Sequence, residues 1–228
     1  GDLTGAITAG GAPITGHVTA DDPESGDEIP RISSVDGVFG SFEMSRSQNW
    51  TYTLDESKAA LQALAAGATA TDNFTVTADS GETHEVVMTV TGVNEAPTSA
   101  GGTVTMNEDT SYAFKGEDFA FADVDTGGAL ASVTITATTL QTGDTLLLDG
   151  TDVTLNTPIA LADIPKLVFK PAANANGAGR LTFDYTVNDG TADSGSATMT
   201  LDVTDVAEAV IVVTPNPTDN TSARTTPD

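Results

Sequence analysis

Strict alternation of apolar and polar side chains is the feature that most constrains the fold of this chain. Residues 50–54 read Trp-Thr-Tyr-Thr-Leu, and the same two-residue period runs through 84–91, 181–187 and 197–203. Successive side chains of a β-strand point to opposite faces, so each run has one buried face and one solvated face. This pattern is typical of antiparallel β-sandwiches. The residues expected to point inward include Trp50, Tyr52, Leu54, Val86, Met88, Val90, Phe183, Tyr185, Val187, Met199 and Leu201.

One segment departs from the alternation. Residues 56–66 are rich in Ala and Leu, Asp55 before them can cap a helix, and Gly67 after them suits its C-terminal end. We expect one short helix near 56–66, lying on a sheet with Leu61 and Leu64 on the same face.

The two halves of the chain resemble each other. Residues 74–81 resemble 185–190, and residues 90–96 resemble 203–209, which is a divergent repeat with a period of roughly 110 residues. The fold class expected is all-β: two tandem Greek-key (Ig/cadherin-like) β-sandwiches, with the one short helix in the first. The predicted boundaries are 1–97 for the first domain, 98–208 for the second, and 209–228 for a flexible C-terminal tail or linker rich in Pro, Thr and Asn.

Charge and composition exclude several classes of partner. The chain has 33 acidic and 8 basic residues, a formal net charge of −25. Binding to phosphates needs clusters of Lys and Arg, so we expect no nucleic-acid partner and no attraction to anionic membranes. No segment approaches the ~20 apolar residues of a membrane helix, so we expect no membrane insertion. There is no cysteine, so stability must come from core burial, a metal or neighbouring domains.

Nothing in the sequence resembles a catalytic motif. The only histidines are His17 and His84, and there is no nucleophile elbow, phosphate-binding loop or zinc-binding helix motif. Carboxylate pairs of the kind that glycosidases use are present, but they fall in turns between short strands, without long loops to build a substrate cleft. We predict that the chain is not an enzyme.

Acidic turns are the most informative polar feature. The acids concerned are Asp22, Glu24 and Asp27 in the first half, with Asp79 in a later glycine turn, and Asp123 and Asp125 in the second half. Three carboxylates that converge at ~5 Å repel by roughly 3 kcal/mol per pair at an effective dielectric near 20. A bound Ca²⁺, which takes six to eight oxygen ligands, reverses that sign. The alternative is that these are solvated turns, in which Asp and Gly are common anyway.

The order of motifs in the first half resembles a known family. These motifs are Gly-Ser-Phe at 40–42, Trp-Thr-Tyr-Thr-Leu-Asp at 50–55, the Ala-rich segment 59–67, Asp-Asn-Phe-Thr-Val at 72–76 and Thr-Gly-Val-Asn-Glu-Ala-Pro at 91–97. With them, residues 1–97 resemble the VCBS repeat. Such repeats occur in long bacterial adhesins of the RTX type, which are exported by type I secretion.

The second half resembles the cadherin-like repeats of the same adhesins, over residues 98–206. The resemblance is carried by Asn-Glu-Asp at 107–109, Asp-Val-Asp at 123–125, the leucine run that leads into 149–153, and Phe-Asp-Tyr-Thr-Val-Asn-Asp-Gly at 183–190. Cadherin-type modules bind calcium at the junction between successive domains, so the resemblance implies Ca²⁺ at this junction.

The resemblance also implies which residues bind the ion. These are Asn94 and Glu95 in the linker, Glu108 or Asp109 near the first strand of the second domain, the alternate pair Asp123 and Asp125, and the late-strand acid Asp189. Leu-Asp-Glu at 54–56 is similar to the cadherin Leu-Asp-x-Glu element, but its Glu comes one residue early, so Asp55 is included and Glu56 is not. At the C-terminal exit, Asp205 and Glu208 could serve a following domain.

Two functions are compatible with these features. The first is a calcium-stiffened extender within a secreted adhesin at the bacterial surface, with neighbouring adhesin domains as partners. The alternative is a module that binds a polysaccharide, a peptide or a cell-surface protein. Binding to sugar needs exposed aromatic rings, and the alternation places Trp50 inward, which leaves Tyr112 and the Phe-Ala-Phe segment at 119–121 as candidates.

Overall fold

The computed structural model describes residues 3–18, 31–78 and 81–207. Its first part forms two sheets and one short helix. Their elements are β1 (Thr4–Thr8), β2 (Ile14–His17), β3 (Ile32–Asp36), β4 (Gly40–Met44), β5 (Asn49–Leu54), α1 (Ala59–Gln62), β6 (Thr69–Thr77) and β7 (Thr83–Thr91). One sheet has the order β1-β7-β6 and the other β2-β5-β4-β3. We call this part the first module.

The second part, here called the second module, contains eleven strands and two 3₁₀ helices. The strands are β8 (Thr98–Ser99), β9 (Gly102–Asn107), β10 (Tyr112–Ala113), β11 (Phe121–Ala122), β12 (Ser132–Leu140), β13 (Thr145–Leu148), β14 (Thr151–Asp152), β15 (Pro158–Ala160), β16 (Leu167–Lys170), β17 (Gly177–Asn188) and β18 (Ala197–Thr204). The 3₁₀ helices span Gly116–Phe119 and Leu161–Lys166. The main sheets have the orders β15-β12-β17-β18-β9 and β10-β16-β13-β14.

Each module has its own hydrophobic core. The first core runs from Ile7 to Val90 and the second from Met106 to Val203, and no residue belongs to both. All eleven residues predicted to point inward are buried, including Tyr52 and Tyr185, which are fully enclosed. The predicted all-β sandwich class is therefore confirmed. The exact boundary at Pro97 stays a prediction, and the predicted tail at 209–228 lies outside the described residues.

The helix is present but shorter than predicted. It spans Ala59–Gln62, and its N-cap is Lys58 rather than Asp55. Asp55 instead accepts hydrogen bonds from the backbone and hydroxyl of Ser57, which forms a separate turn before the helix. Gly67 is not the end of the helix as predicted, because the C-cap is Ala63; its φ of 73° belongs to a separate turn at 65–68. Among the described residues, no helix is long and apolar enough to cross a membrane.

The same edge pairing occurs in both modules. Strand β1 pairs in parallel with β7, with Thr8 opposite Thr91, and β9 pairs in parallel with β18, with Asn107 opposite Thr204. Strand β1 of the first module and strand β9 of the second therefore run toward the end at which the last strand of their module leaves. This topology agrees with the predicted internal repeat, and it decides at which end of the second module the side chain of Glu108 lies.

A buried carboxylate ties the two sheets of the first module together. Asp72 on β6 is 2% exposed. It accepts hydrogen bonds from the backbone of Val38 (2.6 Å), Phe39 (3.0 Å) and Gly40 (3.2 Å), and from the hydroxyl of Tyr52 (2.6 Å). Because the residues at 38–40 and Tyr52 belong to the opposite sheet, this one side chain fixes the turn that leads into β4.

We expect Asp72→Asn to lower the free energy of unfolding by about 3 kcal/mol, because an amide offers only one acceptor oxygen to donors that stay buried. Urea denaturation followed by tryptophan fluorescence of Trp50 measures this. Glu85→Gln on β7 is the matched control, since Glu85 is an exposed acid on the neighbouring strand. A loss for Asp72→Asn no larger than that of the control would contradict the assigned role.

The three tyrosines of the chain give a pH prediction. Burial raises the pKa of Tyr52, and the hydrogen bond to Asp72 raises it further. Burial and the hydrogen bond to Asp118 raise the pKa of Tyr112 to about 12. Burial also raises the pKa of Tyr185, and a hydrogen bond to Ser99 offsets part of that rise. A raised pKa in the folded state stabilises the fold below the ordinary value of 10.0, and that contribution is lost as pH rises through the folded pKa.

We therefore expect the folded chain to show almost no phenolate absorbance at pH 10.0, where the same chain in urea is about half ionised. The stability of the folded state should fall as pH rises above that value. Ionisation of about one sixth of the tyrosine near pH 10.0 with the fold intact would show that one of the three rings is solvated, since a solvated ring is half ionised at that pH.

Candidate metal site at the module junction

The linker between the modules is bonded to the second one through Asn94 and Glu95. It joins β7 to β8, and Asn94 and Glu95 within it are half-buried. The Asn94 amide donates to Asp189 Oδ2 (3.0 Å), and the Glu95 backbone N–H donates to Asp125 Oδ2 (3.1 Å). Two of the predicted acids of the second module are thereby held against two predicted linker residues.

The loop at 123–128 presents Asp123 and Asp125 in a fixed local geometry. The Asp125 N–H donates to Asp123 Oδ1 (2.9 Å), and the Gly128 N–H donates to the Asp125 carbonyl (3.0 Å). Gly127 has a φ of 90°, and a Cβ on Gly128 would overlap the carboxyl group of Asp123. The two glycines are therefore needed for the loop to fold back on itself and direct both carboxylates toward the linker.

Asp189 lies just after β17 and is locked in its own turn. Its Oδ1 accepts from the N–H groups of Thr191 (2.6 Å) and Ala192 (2.7 Å). Burial opposes its ionisation, but these bonds and the Asn94 amide outweigh burial and lower the pKa of Asp189. The group is thus held as a carboxylate.

Glu56 of the first module also lies at the junction. It was not among the predicted ligands, because it comes one residue early in its Leu-Asp-x-Glu element. Glu56 Oε1 accepts from the Gly10 N–H (2.9 Å), and its charge acts on Glu95. Asp55, which was predicted instead, is exposed, and its hydrogen bonds to Ser57 lower its pKa. The Ser57 turn explains the difference, because it points adjacent carboxylates in different directions. An acid one residue early in a Leu-Asp-x-Glu element was the only signal in the sequence.

Three carboxylate oxygens at the junction are buried without a hydrogen-bond donor: Glu95 Oε2, Asp123 Oδ2 and Asp125 Oδ1. Among the described residues, the other buried side-chain polar atoms without a partner are Asp144 Oδ2 and Arg180 Nε, which belong to one ion pair. Burial raises the pKa of Glu95, the Asp125 carboxylate raises it further, and Glu56 adds a smaller effect. The junction therefore concentrates negative charge that no protein donor satisfies.

We call this set the junction cluster: Glu56, Asn94, Glu95, Asp123, Asp125 and Asp189. A cleft of about 280 Å³ adjoins it, lined by four of these residues and by the backbone-rich segments 65–66 and 126–129, with no basic side chain in its wall. The ion pairs of the described residues, such as Arg180–Asp144, all lie elsewhere. No three acidic or imidazole side chains in the described part are already close enough to form a closed metal cage.

The donor set nevertheless fits a hard cation. Every ligand group in the junction cluster is a carboxylate or amide oxygen, and the chain has no cysteine. Ca²⁺ takes such ligands in flexible geometry and at variable number, whereas zinc favours nitrogen and sulfur. The three oxygens without donors are the observation that supports the fit.

Glu108 and Asp109 are not at this junction, and the prediction that they would share a cation with Asp189 is wrong. Glu108 accepts from the Val206 N–H (2.7 Å), and Asp109 accepts from the Asn174 N–H (2.9 Å). They follow β9, which is parallel to β18 and ends beside Thr204. Asp189 is at the other end of the antiparallel strand β17, roughly 35 Å away at 3.3 Å per residue.

At that far end, Glu108 forms a separate pair with Asp205. The backbone N–H of Val206 holds the pKa of Glu108 below its usual value, and the hydrogen bond and charge of Glu108 raise the pKa of Asp205. The remaining predicted metal ligands, Asp22, Glu24, Asp27 and Asp79, lie outside the described residues, as does Glu208.

The aromatic residues offer little support for a sugar-binding platform. Trp50 is 2% exposed, which confirms that it is a core residue. Phe119 is fully buried, so it is no longer a candidate for stacking on a sugar. Tyr112 and Phe121 are half-buried and pack against the same core. The Tyr112 ring meets Phe114 edge to face at 5.3 Å, which places it in the aromatic cluster of the second module.

With this geometry in hand, comparison with known families finds one match, and it covers the second module. Residues 94–204 match the family of the bacterial Ig domain. This segment is just under half of the chain, and it begins at Asn94, so the bacterial Ig segment includes the linker residues that bond to it. The predicted cadherin-like repeat is thereby shown at the coarser level of a bacterial Ig-like domain. The VCBS resemblance of residues 1–97 stays a prediction.

Similar solved structures come from cadherins. A mouse cadherin-23 fragment (EC22–24) is 14% identical with a TM-score of 0.48, covering 90% of this chain and 64% of its own. Human mucin-like protocadherin EC1–2 is 11% identical with a TM-score of 0.47, covering 89% and 96%. Protocadherin γB2 EC1–5 is 13% identical with a TM-score of 0.44, covering 87% and 34%. Because every TM-score is below 0.5, the fold rests on the strand pairing above. No curated protein matches the chain.

The crowded carboxylates lead to a prediction for the protein without metal. In the presence of chelator, we expect Glu95→Gln to raise the free energy of unfolding by about 0.5–1 kcal/mol, a small figure because the side chain is partly exposed. The change removes one charge beside Asp125 and supplies an amide donor. Urea denaturation in EGTA measures it, with Glu117→Gln, an exposed acid of the second module, as control. A destabilised Glu95→Gln variant would show that Glu95 is already satisfied.

Proposed function

We propose that this chain is a pair of calcium-stabilised extender modules from a bacterial surface adhesin, with one cation bound by the junction cluster. The single observation that carries the proposal is the set of three buried carboxylate oxygens without donors at the point where the two modules meet. The match to the bacterial Ig domain supports an extracellular, adhesion-type role.

The proposed ligands come from both modules and from the linker. Asp123, Asp125 and Asp189 present carboxylates from the second module, Glu95 and Asn94 supply oxygens from the linker, and Glu56 supplies one from the first module. A divalent cation would cancel the repulsion between these groups and connect three segments that belong to different parts of the chain. Because the carboxylates are not yet gathered into a closed cage, binding requires side-chain rotation, which the flexible geometry of Ca²⁺ tolerates better than that of Mg²⁺.

The size of the effect follows from linkage. A ligand that binds only the folded state stabilises it by RT ln(1 + [L]/Kd). With a Kd of ~10⁻⁴ M, at the tight end of extracellular modules, and ~10 mM calcium, this gives roughly 2.7 kcal/mol for one site. Inside a cell the calcium concentration is far below such a Kd, so this contribution arises only after export.

The proposed role is structural, and we propose no catalytic activity. The partners are the adjacent domains of the same adhesin, with which the chain forms a stiff spacer. Recognition of a polysaccharide or protein target is not favoured by any surface feature of the described residues, because the candidate aromatic rings are at least half-buried.

We expect calcium to raise the melting temperature relative to chelator, and Asp125→Asn to remove most of that gain. Asp125→Asn keeps the size of the side chain while removing a charge that faces Glu95. Differential scanning calorimetry in calcium, magnesium and EGTA measures the shift, and isothermal titration gives the Kd. Asp152→Asn, an exposed acid on β14, is the control and should respond to calcium as the parent chain does.

The proposal fails if the parent chain melts at the same temperature in calcium and in chelator and titration detects no binding. It also fails if Asp152→Asn loses the calcium response as fully as Asp125→Asn does, since the effect would then come from net charge alone.

A further inference from the structure

A direct hydrogen-bonded contact joins the two modules without using the linker. Thr126 of the second module donates twice to the carbonyl oxygen of Ala63 in the first: its backbone N–H at 3.1 Å and its hydroxyl at 2.7 Å. Ala63 is the C-cap of α1, so its carbonyl lies at the helix end where acceptors lack partners within the helix. This explains why a four-residue helix sits at the junction.

The Ala63 side of the contact is fixed within the first module. Leu61, two residues earlier, is buried in the core. The turn that follows is held against the end of β7, because the Gly67 N–H donates to the Gly92 carbonyl (3.0 Å) and the Gly92 N–H donates to the Ala68 carbonyl (2.9 Å). A Cβ on Gly92 would overlap the Leu64 carbonyl oxygen, so only glycine allows the turn to approach this closely.

The Thr126 side is fixed within the second module. Thr126 follows Asp125 in the loop at 123–128, whose internal hydrogen bonds and two glycines were described above. Each partner of the contact is therefore bonded to its own module, and rotation of one module against the other must break the contact.

We propose that the turn at 63–68 and the loop at 123–128 form a latch that holds the two modules in one orientation without any cation. This goes beyond the proposed function, because the hydrogen bonds of the latch join Thr126 to Ala63 and need no cation. Neither residue belongs to the junction cluster, although Asp123 and Asp125 lie in the same loop as Thr126. In low calcium the latch keeps the modules docked, and bound calcium then adds a second restraint.

Distance measurements between the modules test the latch. The chain has no cysteine, so the pair Thr75→Cys and Thr139→Cys places spin labels on exposed strand positions of the two modules without background labelling. Pulsed electron paramagnetic resonance then gives the distribution of distances in EGTA and in calcium. The test variant is Thr126→Val, which removes the hydroxyl and keeps the backbone N–H. A second variant, Thr126→Ser, retains a hydroxyl and tests whether the docked state is restored.

We expect the parent chain to give one narrow distance peak in EGTA. Thr126→Val should lower the ratio of docked to undocked modules about fivefold, the usual net effect of one hydrogen bond. Thr126→Ser should restore most of it, and calcium should narrow the Thr126→Val distribution. Thr151→Val is the matched control: its hydroxyl donates to Leu148 O (3.0 Å) within the second module, so its loss should leave the distances unchanged.

The latch is refuted if the parent chain already gives a broad distribution in EGTA, if Thr126→Val matches the parent, or if Thr151→Val broadens the distances as much. If the distance distribution of Thr126→Val is broad in EGTA and calcium does not narrow it, the result supports the latch and counts against the cation site. Circular dichroism and melting curves of each variant establish that both modules remain folded.

Discussion

The junction depends on one physical constraint: buried carboxylate oxygens must receive a donor or a cation. Glu95, Asp123 and Asp125 each bury an oxygen with neither, and Glu56, whose charge acts on Glu95, is also negative. Carboxylates that are close together in water repel each other only weakly, because water screens and solvates each charge. Among these acids only Glu56 belongs to the first module, so the repulsion that opposes docking is the one between Glu56 and the acids of the linker and second module.

The chain shows two other ways to bury a carboxylate, and they clarify why the junction differs. Asp72 is enclosed by three backbone N–H groups and a tyrosine hydroxyl, which use its acceptor capacity within one module. Asp144 is matched by the guanidinium of Arg180 at 2.6 Å and by the Ala172 N–H. Both groups stabilise a single module. Asp144 also leaves one oxygen without a hydrogen bond, but a guanidinium pairs with its charge. Among the described residues, the three junction oxygens have neither a donor nor a basic partner.

Two restraints with different chemistry therefore meet at the same place. The latch between Ala63 and Thr126 uses neutral hydrogen bonds, which do not depend on dissolved ions. The proposed cation site depends on calcium concentration through mass action. With both proposed restraints, the modules would stay docked where calcium is scarce and would resist separation more strongly where calcium is plentiful. Gly92 and Gly128 allow close approaches that a Cβ would block, and Gly127 supplies a φ of 90° that other residues rarely adopt.

Much of the local structure followed from the sequence. The two-residue period fixed which face of each strand is buried, so residues such as Trp50, Met88 and Tyr185 were assigned to the cores correctly. The resemblance to cadherin-like repeats named five of the six residues of the junction cluster: Asn94, Glu95, Asp123, Asp125 and Asp189. The helix was located but its length was overestimated, since the Ser57 turn competes with the first helical turn for the carboxylate of Asp55.

What the sequence by itself determined is the strand pattern, the content of the two cores and the presence of an acidic junction. Only the tertiary structure decided which acids belong to it. The two-residue period specifies the face of a sheet but not the end at which a strand finishes, and the parallel pairing of β9 with β18 carries Glu108 to the far end. Likewise, Glu56 reaches the junction, and Thr126 reaches Ala63, because turns and pairings distant in sequence place them there. Such contacts depend on the directions of whole strands, which local spacing does not encode.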